Sequence, residues 1–166
     1  MERTKTNRRS KHLNALSDDH LNSMRLRKRI RDGIEHKVST KRIVDYVIFS
    51  FERNMKNHLE QEDRLLISLV RTGDHEIKKG KQQQMELINV VNMIRTSTGS
   101  SEEVLLRFVD ILERNIRFEE RRLFPYIERN GYPDAFDRAA RIITDLHSIK
   151  KDEEWQDEFW LEKMAS

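Results

Sequence analysis

A chain of 166 residues is long enough to form one domain around a buried core. With 37% charged residues, 7% aromatics, five Gly and two Pro, it lacks the turns and β-branched runs of a β-sandwich and favours long amphipathic helices. It has no Cys, which excludes disulfides and thiolate metal sites, so any metal must bind through nitrogen and oxygen.

The formal net charge of +3 hides a gradient. Residues 1–31 carry ten Lys and Arg against Glu2, Asp18 and Asp19, a net of +7, which leaves −4 for the remainder. Residues 1–11 read as a basic, disordered tail ahead of a helical domain spanning 12–166. A basic end suits nucleic acid, yet no aromatic residue interleaves these charges, and a solvated tail and helix face is the simpler reading. Nucleic acid is therefore not an expected partner. The opening dozen residues lack the apolar stretch of a secretion signal. The longest apolar run, Tyr46 to Phe49, is far below membrane-spanning length. A cytoplasmic protein with no membrane partner is expected.

In chain order, Ser17 followed by Asp18 and Asp19 resembles a helix start, with acids near the positive end of the helix dipole. That first helix is expected to reach about Ile30 and stop near Gly33. A second begins after Ser39 and Thr40 and runs to about Thr72, stopped by Gly73. The third spans roughly Asp74 to Arg95. The fourth, opened by Ser101, Glu102 and Glu103, runs to Asn130 and ends at Gly131. Residues 134–147 read as a shorter fifth helix, and a tail with Trp155, Phe159 and Trp160 follows. Four long helices with short connections predict an all-α, up-down-up-down antiparallel four-helix bundle with a short C-terminal helix and tail.

The apolar stripes of these helices contain polar members. On the second helix, alternating steps of four and three give Val44, Ile48, Phe51, Met55, His58, Glu62, Leu65 and Leu69. This is a core-facing seam with two ionisable residues one turn apart. The fourth reads Leu105, Phe108, Leu112, Asn115, Glu119 and then Leu123 or Tyr126. The third reads Ile77, Lys81, Gln84, Leu87 or Ile88, Val91 and Ile94. On the first, Leu13, Leu16, His20 and Met24 put a histidine on the apolar side. Burying an unpaired carboxylate costs several kcal/mol, so something must compensate it. A metal held by neutral imidazoles and ionised carboxylates does so, and a closed polar network is the alternative.

Three segments resemble the hemerythrin-like, or HHE cation-binding, family. Ile116-Arg-Phe-Glu-Glu-Arg-Arg-Leu-Phe-Pro-Tyr-Ile-Glu128 is similar to its fourth-helix signature. Leu16-Ser-Asp-Asp-His20 is similar to the first-helix motif, and His58-Leu-Glu-Gln-Glu62 to the second. The ending Glu154-Trp-Gln-Asp-Glu-Phe-Trp-Leu161 resembles that of a bacterial subgroup, so the likeness extends over residues 12–161. Myohemerythrin is itself an example of the up-down bundle, so family and fold are one inference here.

The resemblance implies two irons bridged by two carboxylates, with histidines from the first two helices on one iron and from the last two on the other. His20 and His58 fall on the first pair, and Glu62 and Glu119 on the bridges. The third- and fourth-helix histidines are replaced by Gln84 and Asn115, and both losses strike the same metal. The implied centre is degenerate and mononuclear: one iron, or manganese or zinc in its place, held by His20, His58, Glu62 and Glu119. The implied partners are the metal ion and oxygen or another small diatomic molecule; no protein partner is identified. Sensing, storage or redox duty is expected rather than enzymatic turnover, since no catalytic residues are evident. A metal-free interaction module that keeps only the scaffold is the alternative. In that case Gln84 and Asn115 hydrogen-bond the carboxylates.

Overall fold

A computed structural model describes residues 11–69, 74–96, 102–130 and 155–162. Side chains 11, 12 and 65–69 lie outside that description, as do the expected fifth helix, the stops at Gly73 and Gly131, and His147. Among the described residues the chain is all-helical, with no strand. Helix α1 spans Lys11–Glu35. Helix α2, Thr40–Ser50, continues through a π-helical turn, Phe51–Met55, into α3, Lys56–Leu69. Helix α4 spans His75–Thr96. Helix α5, Glu102–Phe118, continues through a second π turn, Glu119–Leu123, into α6, Phe124–Asn130. A 3₁₀ turn, Phe159–Leu161, lies in the closing segment. No helix of the described residues is long and apolar enough to cross a membrane.

Both expected ends of the first helix are corrected. Ser17 lies inside α1, and its hydroxyl is buried without a hydrogen-bond partner, so it caps nothing. Leu13 and Leu16 are buried, and that apolar contact carries the helix upstream of the local capping signal. At the other end the helix passes Gly33 and closes on Lys37, whose φ is 56°. Val38 N–H donates to the Gly33 carbonyl (2.9 Å) and Lys37 N–H to that of Ile34 (3.0 Å), a Schellman closure with lysine at the left-handed position. Gly33 serves a different purpose: a Cβ there would stand 2.7 Å from Cε2 of Phe159, which packs across α1.

Helix contacts pair residues in opposing order. Between α1 and the α5 rod, His20 meets Glu119, Arg27 meets Glu113 and Arg31 approaches Asp110. Between α4 and that rod, Glu86 meets Arg114 and Glu76 meets Arg122. Between the α2–α3 rod and α4, Glu52 meets Arg95 and Glu62 meets Gln84.

Two apolar clusters form the core. The larger draws on Leu26 and Ile30 of α1, the α2 seam, the later half of α4, the earlier half of α5, and Phe159. The smaller comprises Leu13, Leu16, Ile77, Phe118, Leu123, Phe124 and Ile127. Along each rod, polar buried residues fall at the junction between apolar stretches: His20, His58 and Glu62, Gln84, and Asn115 and Glu119.

The seams differ in detail from expectation. Met24 is 47% exposed, and Leu26 and Ile30 continue the buried line of α1. Lys81 is half-buried while Gly80 and Gln83 face inward; Gly80 lets Leu123 approach to 3.1 Å of where a Cβ would stand. Val47 is buried more deeply than half-buried Ile48, Leu87 rather than Ile88 is inside, and Leu123 rather than Tyr126 closes the fourth seam. His36 is half-buried.

Of these shifts, the one at Leu123 falls in a π turn. A strict four-three seam averages 3.5 residues per turn and drifts around a straight helix by about 20° per heptad. A π turn holds one more residue and spaces the inward positions further apart still, with Lys56 N–H bonding the Phe51 carbonyl and Phe124 N–H that of Glu119. The second turn also accommodates Pro125, which has no N–H and would clash with the carbonyl four residues back.

Candidate metal centre

Each of the four residues singled out from the seams is buried: His20 (4% exposed), His58 (8%), Glu62 and Glu119 (both 0%). His20 Nε2 lies 2.5 Å from Glu119 Oε2, and His58 Nε2 lies 3.8 Å from the same oxygen. His58 Nε2 is also 3.3 Å from Glu62 Oε2. The two imidazoles are tilted against each other with centroids 5.3 Å apart, and Phe124 stacks on His20. One donor atom each from His20, His58 and Glu119 falls within a 4.8 Å cluster; Glu62 joins it through His58.

The outward nitrogens are held just as specifically. His20 Nδ1 lies 2.7 Å from Glu120 Oε1, and His58 Nδ1 lies 2.9 Å from Asp19 Oδ2. A carboxylate on Nδ1 fixes ring orientation and, in a neutral ring, places the lone pair on Nε2. Asp19 and Glu120 were not singled out in the sequence. Asp19 read as a first-turn acid because α1 was taken to start at Ser17. Glu120 is simply the neighbour of Glu119. The available signal was adjacency: each acid sits beside a seam residue of a different helix, so its partner is invisible along the chain.

Gln84 Nε2 donates to Glu62 Oε1 at 2.8 Å. Asn115 is buried, but its Nδ2 has no hydrogen-bond partner among the described residues. Two inward glutamines escaped the sequence reading. Gln61 is 1% exposed with neither amide atom bonded, and Gln83 Oε1 is likewise unpartnered. The carboxylates keep spare acceptor capacity as well: Glu119 Oε1 accepts no hydrogen bond, and Glu62 Oε2 has only His58 Nε2, at 3.3 Å.

These contacts set the charges. Burial works against a charged His20, yet hydrogen bonds to Glu119 and Glu120 outweigh it and lift the imidazole to about 9. His58 is raised well above its ordinary value in the same way: burial opposes the charge, while Asp19, Glu119 and Glu62 favour it. Burial also opposes the Glu119 carboxylate, but the two histidines hold it far below the ordinary range. Glu62 moves the other way, pushed up to about 7 by burial and by the Glu119 charge. Without a cation, protons on the imidazoles balance the buried acid.

Two inward imidazole nitrogens and two carboxylates with unfilled acceptors form a donor set that fits a borderline or hard divalent cation. No protein-family model, curated protein or solved structure matches the chain, so the reading of the site rests on its own residues.

Proposed function

We propose that the chain is a hemerythrin-like metal-binding protein with a single-ion, non-haem centre, iron in the first instance, with manganese or zinc chemically admissible. His20 and His58 would hold the ion through Nε2, and Glu62 and Glu119 through carboxylate oxygen. The observation carrying this reading is the orientation of both histidines: Nδ1 is tied to an outer carboxylate, and Nε2 faces an inner one. That is the arrangement by which carboxylates orient metal-binding imidazoles. Glu119 Oε1, buried and without a hydrogen bond, would gain the partner it lacks, and Glu62 Oε2 a closer one than His58 Nε2 at 3.3 Å.

A bound ion of this class supplies a Lewis-acidic, and for iron or manganese a redox-active, position for oxygen or another small diatomic molecule. Around it the chain's own groups act locally. Asp19 and Glu120 hold the rings, Phe124 covers His20, and Gln84 buttresses Glu62. The Gln84 N–H group is turned toward Glu62, so its amide acts as a donor on that side. Asn115 is a neutral amide where the related pattern has imidazole. Both substitutions support one ion rather than two. Sensing, storage or redox duty, rather than turnover, belongs to the same proposal.

The scaffold belongs to the same proposal: an up-down-up-down antiparallel bundle of α1, the α2–α3 rod, α4 and the α5–α6 rod, in a cytoplasmic protein. The opposing order of cross-helix pairs supports it, since residue numbers rise on one helix as they fall on its neighbour.

Elemental analysis of protein expressed with iron, manganese and zinc available tests the centre. About one ion per chain is expected, with its loss in His58→Ala. Two ions per chain, or equal metal in the variant, would overturn the reading. The Gln84–Glu62 hydrogen bond favours a second reading, a metal-free bundle in which the amide satisfies one carboxylate and serves an interaction module. An unchanged melting midpoint when chelator is added to protein isolated from metal-replete cells would favour it.

A further inference from the structure

The closing segment does more than cover the larger core. Where it crosses α1 and α2 it roofs a cleft of about 250 Å³, walled by Tyr46, Phe49, Trp155 and Trp160, with Arg25 and Arg29 at its side. The rings support one another: Trp155 lies 4.7 Å from Phe49, and Trp160 lies 5.1 Å from Tyr46, centroid to centroid. Arg29 is fixed within this frame. Its guanidinium carbon sits 3.9 Å from the Trp160 ring centroid, and its Nη1 donates to the Tyr46 hydroxyl at 2.8 Å. Those contacts occupy one face and one corner of the fork, setting its plane and leaving further N–H groups for a second acceptor.

Trp155, in the same lining, carries an unexplained donor. The indole N–H of Trp155 is buried and has no hydrogen-bond partner among the described residues. A buried unpaired donor is costly, and a ligand atom is one way to satisfy it. The charged lining groups are Arg25 and Arg29 against Glu158, a net of +1.

We propose that this cleft is a binding site for a small planar carboxylate. The oriented guanidinium matches a carboxylate edge, the indole N–H supplies an independent donor, and the aromatic walls cover a flat apolar body. A compact inorganic oxyanion would leave those walls uncovered. Asn22, Ser50 and Asn54 also line the smaller cavity that reaches Asp19 and His58, so a ligand here lies one wall away from the buried histidines. The site itself needs no metal.

Both tryptophans of the chain line the cleft, so indole emission reads this site alone. The full chain is titrated with benzoate, with benzamide as the neutral isostere and with inorganic phosphate as the compact anion, by emission and by calorimetry. Benzoate is expected to saturate with an apparent Kd of about 1 mM or below. Benzamide and phosphate should bind at least about tenfold more weakly. Trp155→Phe keeps a ring and removes the N–H, and should weaken benzoate about three- to tenfold. Arg29→Met should abolish saturation. If circular dichroism shows that Arg29→Met has lost structure, Trp155→Phe and the benzoate–benzamide comparison decide between the outcomes. Absence of saturation with benzoate, equal binding of benzamide or phosphate, or unchanged affinity in Trp155→Phe would each overturn the proposal.

Discussion

Replacing Glu62 by glutamine separates the two readings of the polar centre by the sign of its effect. Glu62 is fully buried, accepts one hydrogen bond from Gln84 and lies beside the Glu119 charge, which together with burial pushes its carboxyl from 4.5 to about 7. A shift of that size corresponds to about 3 kcal/mol at 1.36 kcal/mol per pH unit. In metal-free protein the folded state holds this proton between pH 4.5 and 7 while the unfolded chain has released it. Stability from this group therefore falls as pH rises through that window and levels off above it. Glu62→Gln removes the slope. In chelator it is expected to leave stability unchanged near pH 4 and to raise it at pH 8 by up to about 3 kcal/mol, roughly 6–12 °C in Tm for a domain of this size. With metal present the order reverses, because the wild-type carboxylate gains a cation and the amide is a weaker donor. Thermal melts of both proteins at pH 4, 6 and 8, with chelator and with ferrous, manganous or zinc ion, read both effects. A variant less stable than wild type in chelator at pH 8 would refute the burial argument. A variant more stable than wild type in every metal would remove Glu62 from the proposed centre.

Arg42 clasps the closing segment through Asp157 and Glu162, and its hydrogen bonds lower both carboxyls below 3.8 and 4.5 respectively. Depressed acids stabilise above their ordinary values and lose that contribution as pH falls through the folded ones. Tryptophan emission should therefore hold steady from neutral pH and shift red only in acid; a transition above the ordinary glutamate range would contradict the clasp. Gly33→Ala places a Cβ 2.7 Å from the buried Phe159 ring and should cost about 2 kcal/mol in denaturant melts, despite the better helix propensity of alanine. Combined with Phe159→Ala, it should add almost nothing to the loss from Phe159→Ala alone; full additivity would show that the ring does not explain the glycine. Lys37→Gly relieves a left-handed lysine and should stabilise by about 0.5–1 kcal/mol. A destabilised variant would mean that the lysine side chain contributes more than its backbone costs.

The helical reading and the inward placement of His20, His58, Glu62, Gln84, Asn115 and Glu119 were available from spacing, because each rests on periodicity within one helix. Helix ends were less accessible. Ser17 with two acids has good capping chemistry, but burial of Leu13 and Leu16 outweighs it and draws the helix upstream. Gly33 has the composition of a stop, yet its role is steric and depends on Phe159, more than a hundred positions away. A uniform four-three seam also overlooked the two π turns and, on α4, the inward faces of Gly80 and Gln83.

What the sequence by itself determined is a set of long amphipathic helices that carry ionisable residues on their buried faces, because helix periodicity and hydrophobic burial act over a few turns. Tertiary packing alone decided which atoms meet. Asp19 reaches His58, Glu120 reaches His20, and the closing segment folds back to pair Trp160 with Arg29. Such contacts depend on distances between helices remote in the chain, and no local preference encodes them.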